Sequence, residues 1–313
     1  MGIKPSNKGE HRFRLSLLHP RHWLIWIALA LYFIFTMLPM PAIDRVAYWL
    51  GGVSAKKNRK RFNIAKANLT LCFPDKSTEE IEHMVTEHFR AQLRTVMHYY
   101  ILWWRPVATI RKIIHQSGFE QVAQYQQQGK NIIILLPHNV GLEFAGVAIS
   151  MEYETAAPYK PMRNPVINWM VAKGRLRFGK KLFTRADGLR PLIREVRAGH
   201  VMGYFADEDL GEKNSVFASF YGVQKATIPV LGRLAKACNA VVLPCVCCYE
   251  EESGHYMIKL LPKIEGLSAS DDVQDSESMN RAIEQAIDFC PVQYMWTLRY
   301  FKTRPKGERS VYD

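Results

Sequence analysis

Asn131-Ile132-Ile133-Ile134-Leu135-Leu136-Pro137-His138-Asn139-Val140-Gly141-Leu142-Glu143 is the stretch on which the fold turns. Residues 131–137 form a short apolar run without polar alternation, the pattern of a strand buried on both faces of a parallel sheet. Gly141 then permits a tight turn, and 142–151 read as helix. The stretch predicts strand, turn and helix in immediate succession. His138 falls at the strand end and Glu143 on the first helical turn.

Working outward, the alternation continues. Residues 190–198 predict a helix feeding a strand at 201–205, and 229–238 a helix feeding a strand at 241–249. A further strand is predicted at 256–261 and a helix at 278–289. Such alternation predicts an α/β fold with a mostly parallel or mixed central sheet flanked by helices. Upstream, Ser77 and Glu80 form a capping box that opens a helix over 77–100, where Ile81, Val85, Phe89 and Leu93 keep helical spacing. No internal repeat or low-complexity segment interrupts the chain.

Near the amino terminus, residues 23–40 are uncharged and rich in Leu, Ile, Phe and Trp, just long enough to cross a bilayer as a helix. No small-residue cleavage site follows, which argues against a signal peptide. Lys4, Lys8, Arg12, Arg14 and Arg21 precede the run, and Arg59, Lys60 and Arg61 come after it. Basic flanks on both sides leave crossing and shallow insertion both open, and they suit an anionic leaflet. The predicted organisation is a basic segment (1–22), a membrane-anchoring helix (23–40) and a single α/β domain (41–313).

The 313 residues are 48% hydrophobic, too many for a disordered chain and too few for a polytopic membrane protein. A formal net charge of +13 expects acidic company. No nucleic-acid-binding module is recognisable, so a nucleic-acid partner is not expected. Of the six cysteines, Cys245, Cys247 and Cys248 fall inside one predicted strand, which suits reduced, buried thiols rather than a metal site.

A carboxylate beside a strand-end imidazole can fix its tautomer and steady the imidazolium, leaving the other ring nitrogen for substrate. His138 and Glu143 have the spacing for this; the alternative is an ordinary histidine beside a solvated or capping glutamate. The chain has no G-x-S-x-G elbow, no P-loop and no dinucleotide fingerprint. A dyad without a protein nucleophile suggests a base acting directly on a substrate hydroxyl, with no cofactor.

Several blocks, in order, carry a family resemblance. They are Leu18-His19-Pro20-Arg21-His22-Trp23, Asn68-Leu69-Thr70-Leu71-Cys72-Phe73-Pro74 and the His138 to Glu143 block. Asn164-Pro165, Gly174-Arg175-Leu176-Arg177, Arg185-Ala186-Asp187-Gly188, Tyr204-Phe205-Ala206-Asp207-Glu208-Asp209 and Lys225-Ala226-Thr227 follow. Gln293-Tyr294-Met295-Trp296 and Phe301-Lys302-Thr303-Arg304-Pro305 complete the set. Together they resemble the late acyltransferases of lipid A biosynthesis, the lauroyl and myristoyl transferases of the lysophospholipid acyltransferase superfamily. The Arg185 and Lys225 blocks look closer to the myristoyl branch. The chain departs from the family pattern at Ala206, where proline is usual, and at Val292, where glutamate is usual.

The resemblance implies acyl transfer from acyl carrier protein to the hydroxyl of a lipid-linked 3-hydroxyacyl chain of a lipid A precursor. It casts His138 as general base oriented by Glu143, and Arg175, Asp207, Asp209 and Asn164 as substrate-binding residues. It also implies residence at the bacterial inner membrane with the catalytic domain on the cytoplasmic face, in contact with anionic lipid. The competing readings are a glycerolipid acyltransferase, which shares the H-x4-D/E logic, and a non-catalytic membrane-bound lipid-binding protein.

Overall fold

The computed structural model describes residues 13–179, 181–184 and 187–312. Lys4, Lys8 and Arg12 of the basic segment, and Arg185-Ala186, lie outside the described residues. In chain order the elements are α1 (Trp23–Phe35), α2 (Met40–Lys57), α3 (Arg59–Cys72), α4 (Thr78–Trp104), α5 (Val107–Ile113), β1 (Ile114–Ser117) and α6 (Glu120–Gln127). Next come β2 (Asn131–Leu135), α7 (Leu142–Glu152), β3 (Thr155–Pro158), α8 (Pro165–Leu176), β4 (Lys181–Phe183), α9 (Leu189–Arg197) and β5 (Val201–Tyr204). The last are β6 (Val216–Phe220), β7 (Val223–Thr227), α10 (Leu231–Cys238), β8 (Ala240–Glu250), β9 (His255–Leu260) and α11 (Asp272–Ile287).

Seven strands form one sheet in the order β1-β9-β8-β2-β5-β3-β4. Every neighbouring pair is parallel except β8 and β9. The sheet is thus mixed and mostly parallel, as the alternating pattern predicts. Its centre is β2, whose side chains alternate between two cores. Ile132 and Ile134 enter one apolar cluster and Ile133 and Leu135 the other. A strand covered on both faces has no use for polar alternation, which is why its sequence shows none. The hairpin β6–β7 stands apart as a two-stranded antiparallel ribbon. Asn280 of α11 pins it, donating from Nδ2 to the Ser219 carbonyl at 2.9 Å.

The capping box forms as predicted: Glu80 N–H donates to Ser77 Oγ at 3.2 Å and Ser77 N–H to Glu80 Oε2 at 2.7 Å. The helix it opens, α4, runs on to Trp104, and it carries Ile81, Val85 and Phe89 into one core and Tyr100, Ile101 and Leu102 into the other.

Two expectations are corrected. The apolar run is not one anchoring helix over 23–40: α1 spans 13 residues and ends at Phe35, and α2 begins at Met40. Pro39 and Pro41 account for the break, since proline removes a helical donor and biases the residue before it away from helix. At 1.5 Å per residue α1 is about 20 Å long, short of a hydrocarbon core of about 30 Å. Among the described residues no helix is long and apolar enough to cross a membrane. Second, two of the six cysteines are not free thiols, because Cys248 is disulfide-bonded to Cys290. Cys248 points to the face of β8 covered by the end of α11, whereas Cys245 and Cys247 point to the opposite core and stay reduced.

Candidate active site

The pairing of β2 with β5 builds the site. Leu135 and Tyr204 are register partners, so the two parallel strands end level at the same edge of the sheet. Ligand sites of open α/β sheets gather at that carboxyl edge. His138 and Asp207 each lie three residues beyond this pair and meet there. His138 N–H donates to Asp207 Oδ2 at 2.7 Å, and His138 Nδ1 shares a short hydrogen bond with Asp207 Oδ1. Tyr294 O–H donates to Asp207 Oδ2 at 2.8 Å. Asp207 is completely buried while His138 is open to a cavity.

The segment after α11 locks the histidine's backbone. Met295 N–H donates to the His138 carbonyl and Val140 N–H to the Gln293 carbonyl, both at 2.8 Å. Cys290, bonded to Cys248, opens this segment.

Electrostatics fix the tautomer. Burial alone would raise the Asp207 pKa, but the His138 charge, the two His138 hydrogen bonds and the Lys225 charge hold it at about 2. An ionised carboxylate only accepts, so Nδ1 carries the proton and Nε2 presents its lone pair. Burial disfavours the imidazolium, yet the Asp207 charge and hydrogen bond outweigh it, with help from Glu208, and the His138 pKa is raised. Glu208 Oε1 stands 3.6 Å from Nε2.

Glu143 does not orient His138; its partner is Arg175. The guanidinium grips the carboxylate through two N–H groups, Nε to Oε2 at 3.0 Å and Nη2 to Oε1. Burial works against the Arg175 charge, and Glu143 more than restores it, so the guanidinium pKa is raised. The physical reason for the correction is reach: Asp207 already occupies Nδ1, and α7 and α8 turn Glu143 and Arg175 toward each other. Both residues still line the cavity that His138 enters.

That cavity encloses about 500 Å³. Its apolar wall includes Leu142, Gly146, Val147, Phe178 and Leu182, and exposed Lys160 and Arg163 lie at its edge. It therefore pairs a proton acceptor with a slot for an apolar chain, in the size range of ligand pockets.

The remaining predicted residues divide. Asn164 does not line the cavity: its Oδ1 caps α8, accepting from Val166 N–H at 3.0 Å and Ile167 N–H at 3.2 Å. Asp209 fastens the carboxyl-terminal segment, accepting from Thr303 N–H at 2.6 Å, Thr303 O–H at 2.8 Å and Gly211 N–H at 2.9 Å. Sequence reasoning missed Asp207 as the imidazole's partner, Tyr294 as its support and Glu208 as a neighbour. The signal available was an acid just past the end of a second predicted strand.

The α/β sheet thus sets a histidine–aspartate pair beside a largely apolar cavity, and similarity names the class of enzyme. The family described as bacterial lipid A biosynthesis acyltransferase matches residues 10–303, and the chain belongs to it. It is 33% identical over 309 residues to a lipid A biosynthesis acyltransferase of Haemophilus influenzae, covering 97% of this chain and 95% of that one. It is 33% identical over 306 residues to the lipid A biosynthesis lauroyltransferase of Escherichia coli, covering 96% and 98%. To the myristoyltransferase of the same organism it is 30% identical over 310 residues, covering 98% and 96%. The leaning toward the myristoyl branch therefore rests on individual motifs.

Proposed function

We propose that the protein transfers a fatty acyl chain from acyl carrier protein to the hydroxyl of a lipid-linked 3-hydroxyacyl chain on a lipid A precursor. The observation that carries this reading is His138 at the edge of a 500 Å³ apolar cavity with Asp207 behind it. His138 Nε2 takes the acceptor hydroxyl proton as the oxygen attacks the thioester carbonyl. The tetrahedral intermediate collapses with cleavage of the C–S bond, and the departing sulfur takes the proton back from Nε2. The products are an ester and a free thiol. Arg175, held in place by Glu143, offers its remaining N–H groups to the oxyanion or to a substrate phosphate.

Membrane residence on the cytoplasmic side of the inner membrane is part of the proposal, by shallow insertion. Trp23, Leu24, Ile27, Leu31 and Ile34 of α1 are exposed and none of its residues is buried. An apolar helix that packs one face on the protein and leaves the other exposed is suited to lie in the interface of an anionic bilayer. Exposed Lys160 and Arg163 suit the acidic surface of acyl carrier protein.

The direct test is mass spectrometry after mixing the purified protein with acyl-charged carrier protein and a lipid A precursor bearing free 3-hydroxyls. One added acyl group on the precursor is expected. Acylation of a lysophospholipid in its place would overturn the acceptor assignment.

The cavity also makes a prediction about chain length. A Cβ built on Gly146 meets nothing within 4 Å, so a side chain there projects into open space. Gly146→Leu fills the slot and improves the propensity of α7. With competing donors, the product spectrum should move to shorter chains. The kcat/KM for the longest wild-type donor should fall about 10–100-fold, because a pocket that excludes a methylene discriminates on that scale.

A further inference from the structure

Lys225 lies on β7 and is completely buried. Among the described residues no group accepts a hydrogen bond from its Nζ, which lies 5.4 Å from the centre of the Phe220 ring. A buried ammonium without hydrogen bonds is costly, and the surrounding core would accept an apolar side chain in its place. Burial lowers the Lys225 pKa, and the charges of Asp207 and Asp209 work against that fall. The anionic groups whose fields reach it are Asp207 and Asp209, with the Cys72 thiol beside them. Asp207 is the carboxylate on His138, and Asp209 ties down the carboxyl-terminal segment.

We propose that Lys225 is a positioning residue for the acyl-transfer site: its buried ammonium is the counter-charge that lets Asp207 and Asp209 stand together behind His138. The inference rests on the reading of His138 and Asp207 as the reacting pair. Lys225 acts through Asp207 and touches no substrate.

The charges around the pair give the direction of the effect. His138 faces Asp207 and Glu208, with Lys225 opposing them. Asp207 faces His138 and Lys225, and its field is felt by the buried phenols of Tyr294 and Tyr300. Lys225 favours the ionised Asp207 and disfavours the imidazolium. Removing its charge therefore makes the pair easier to protonate, and the acid limb of the pH–rate profile moves to higher pH.

The experiment compares wild type with Lys225→Met, Lys225→Gln and Lys225→Arg in the full chain. The two neutral variants should still fold and melt in one cooperative transition. They should lose about tenfold in kcat/KM near pH 6 and less near pH 9, the scale of coupling between neighbouring charged residues. Lys225→Arg should leave the limb where it stands. NMR titration of the His138 ring, assigned through its loss in His138→Gln, needs no substrate and should show an upward move in both neutral variants. That titration separates this inference from the proposed reaction: wild type without acyl transfer refutes the reaction, and an unmoved titration refutes the role of Lys225. An unmoved acid limb, a limb that moves equally in Lys225→Arg, or failure of both neutral variants to fold also overturns it. The last outcome would mean that the charge serves the fold.

Discussion

His138→Ala lowers kcat for acyl transfer by about 10³-fold, within the 10²–10⁴ that a positioned general base contributes. The expectation follows from the site's composition. A 3-hydroxyacyl alcohol is a poor nucleophile unless its proton leaves as it attacks, and Nε2 is the acceptor that the Asp207 bond frees for this. The KM for the lipid acceptor should change little, because the cavity wall from Leu142 to Leu182 is left intact. The fold should survive with a moderate loss. Asp207 keeps Tyr294 and the backbone N–H of residue 138, and one buried hydrogen bond is worth about 1–3 kcal/mol. Rate and melting temperature measured on one preparation decide the point, since parallel collapse of both would indicate unfolding. In the wild type, Asp207 raises the His138 pKa above 6.5, so kcat/KM should climb with pH through a limb lying above that value.

The sequence shows both His138 and Asp207 as candidates, but their pairing depends on the strand register. Residues 131–137 announce a strand through unbroken apolar character, and whatever follows a buried parallel strand stands at the ligand edge. His138 was fixed by that logic. Glu143, a helical turn further on, was the carboxylate nearest in sequence, but nearness along the chain is a weak guide. Asp207 is 69 residues away and becomes a neighbour only because β2 pairs with β5 in the register that sets Leu135 against Tyr204. Periodicity finds a strand but not the strand it pairs with. The missed elements have related causes. β3 and β4 are four and three residues long, too short for a pattern to stand out, and β3 ends on Pro158. The hairpin β6–β7 carries Lys225, whose burial inverts the polarity that a sequence reading expects. The apolar run over 23–40 has the hydropathy of a crossing helix, but the prolines at its end, Pro39 and Pro41, stop α1 short at Phe35 and start α2 at Met40.

Asp207→Asn and Glu143→Gln form the pair of substitutions that separates the two carboxylates, and the first should be far the more damaging. An asparagine at 207 fits the same volume, but its amide cannot accept from both the His138 backbone N–H and Nδ1–H while also receiving the Tyr294 hydroxyl. One donor is stranded in a buried site, at about 1–3 kcal/mol of stability. The imidazole is also freed to place its proton on Nε2, where it cannot act as a base. The same exchange in Ser-His-Asp triads costs about 10⁴-fold, and a loss of 10³–10⁴ in kcat is expected here. Without the Asp207 charge the His138 pKa falls, so the residual activity should have its acid limb at lower pH than wild type. Stability must shift in a consistent sense. A carboxyl held at about 2, against an unfolded value of 3.8, contributes stability that is present above 3.8 and lost as pH falls toward 2. The raised His138 pKa contributes stability that is present below 6.5 and lost as pH rises through the folded value. Asp207→Asn should erase both, so its deficit in melting temperature is widest between about pH 4 and 6.5. Glu143→Gln leaves this pair untouched. It converts a charged fork on Arg175 into a neutral contact, with an expected loss of about tenfold. A result in the reverse order would restore Glu143 as the group that orients the base, and it would show that the His138–Asp207 pair supports the fold rather than the reaction.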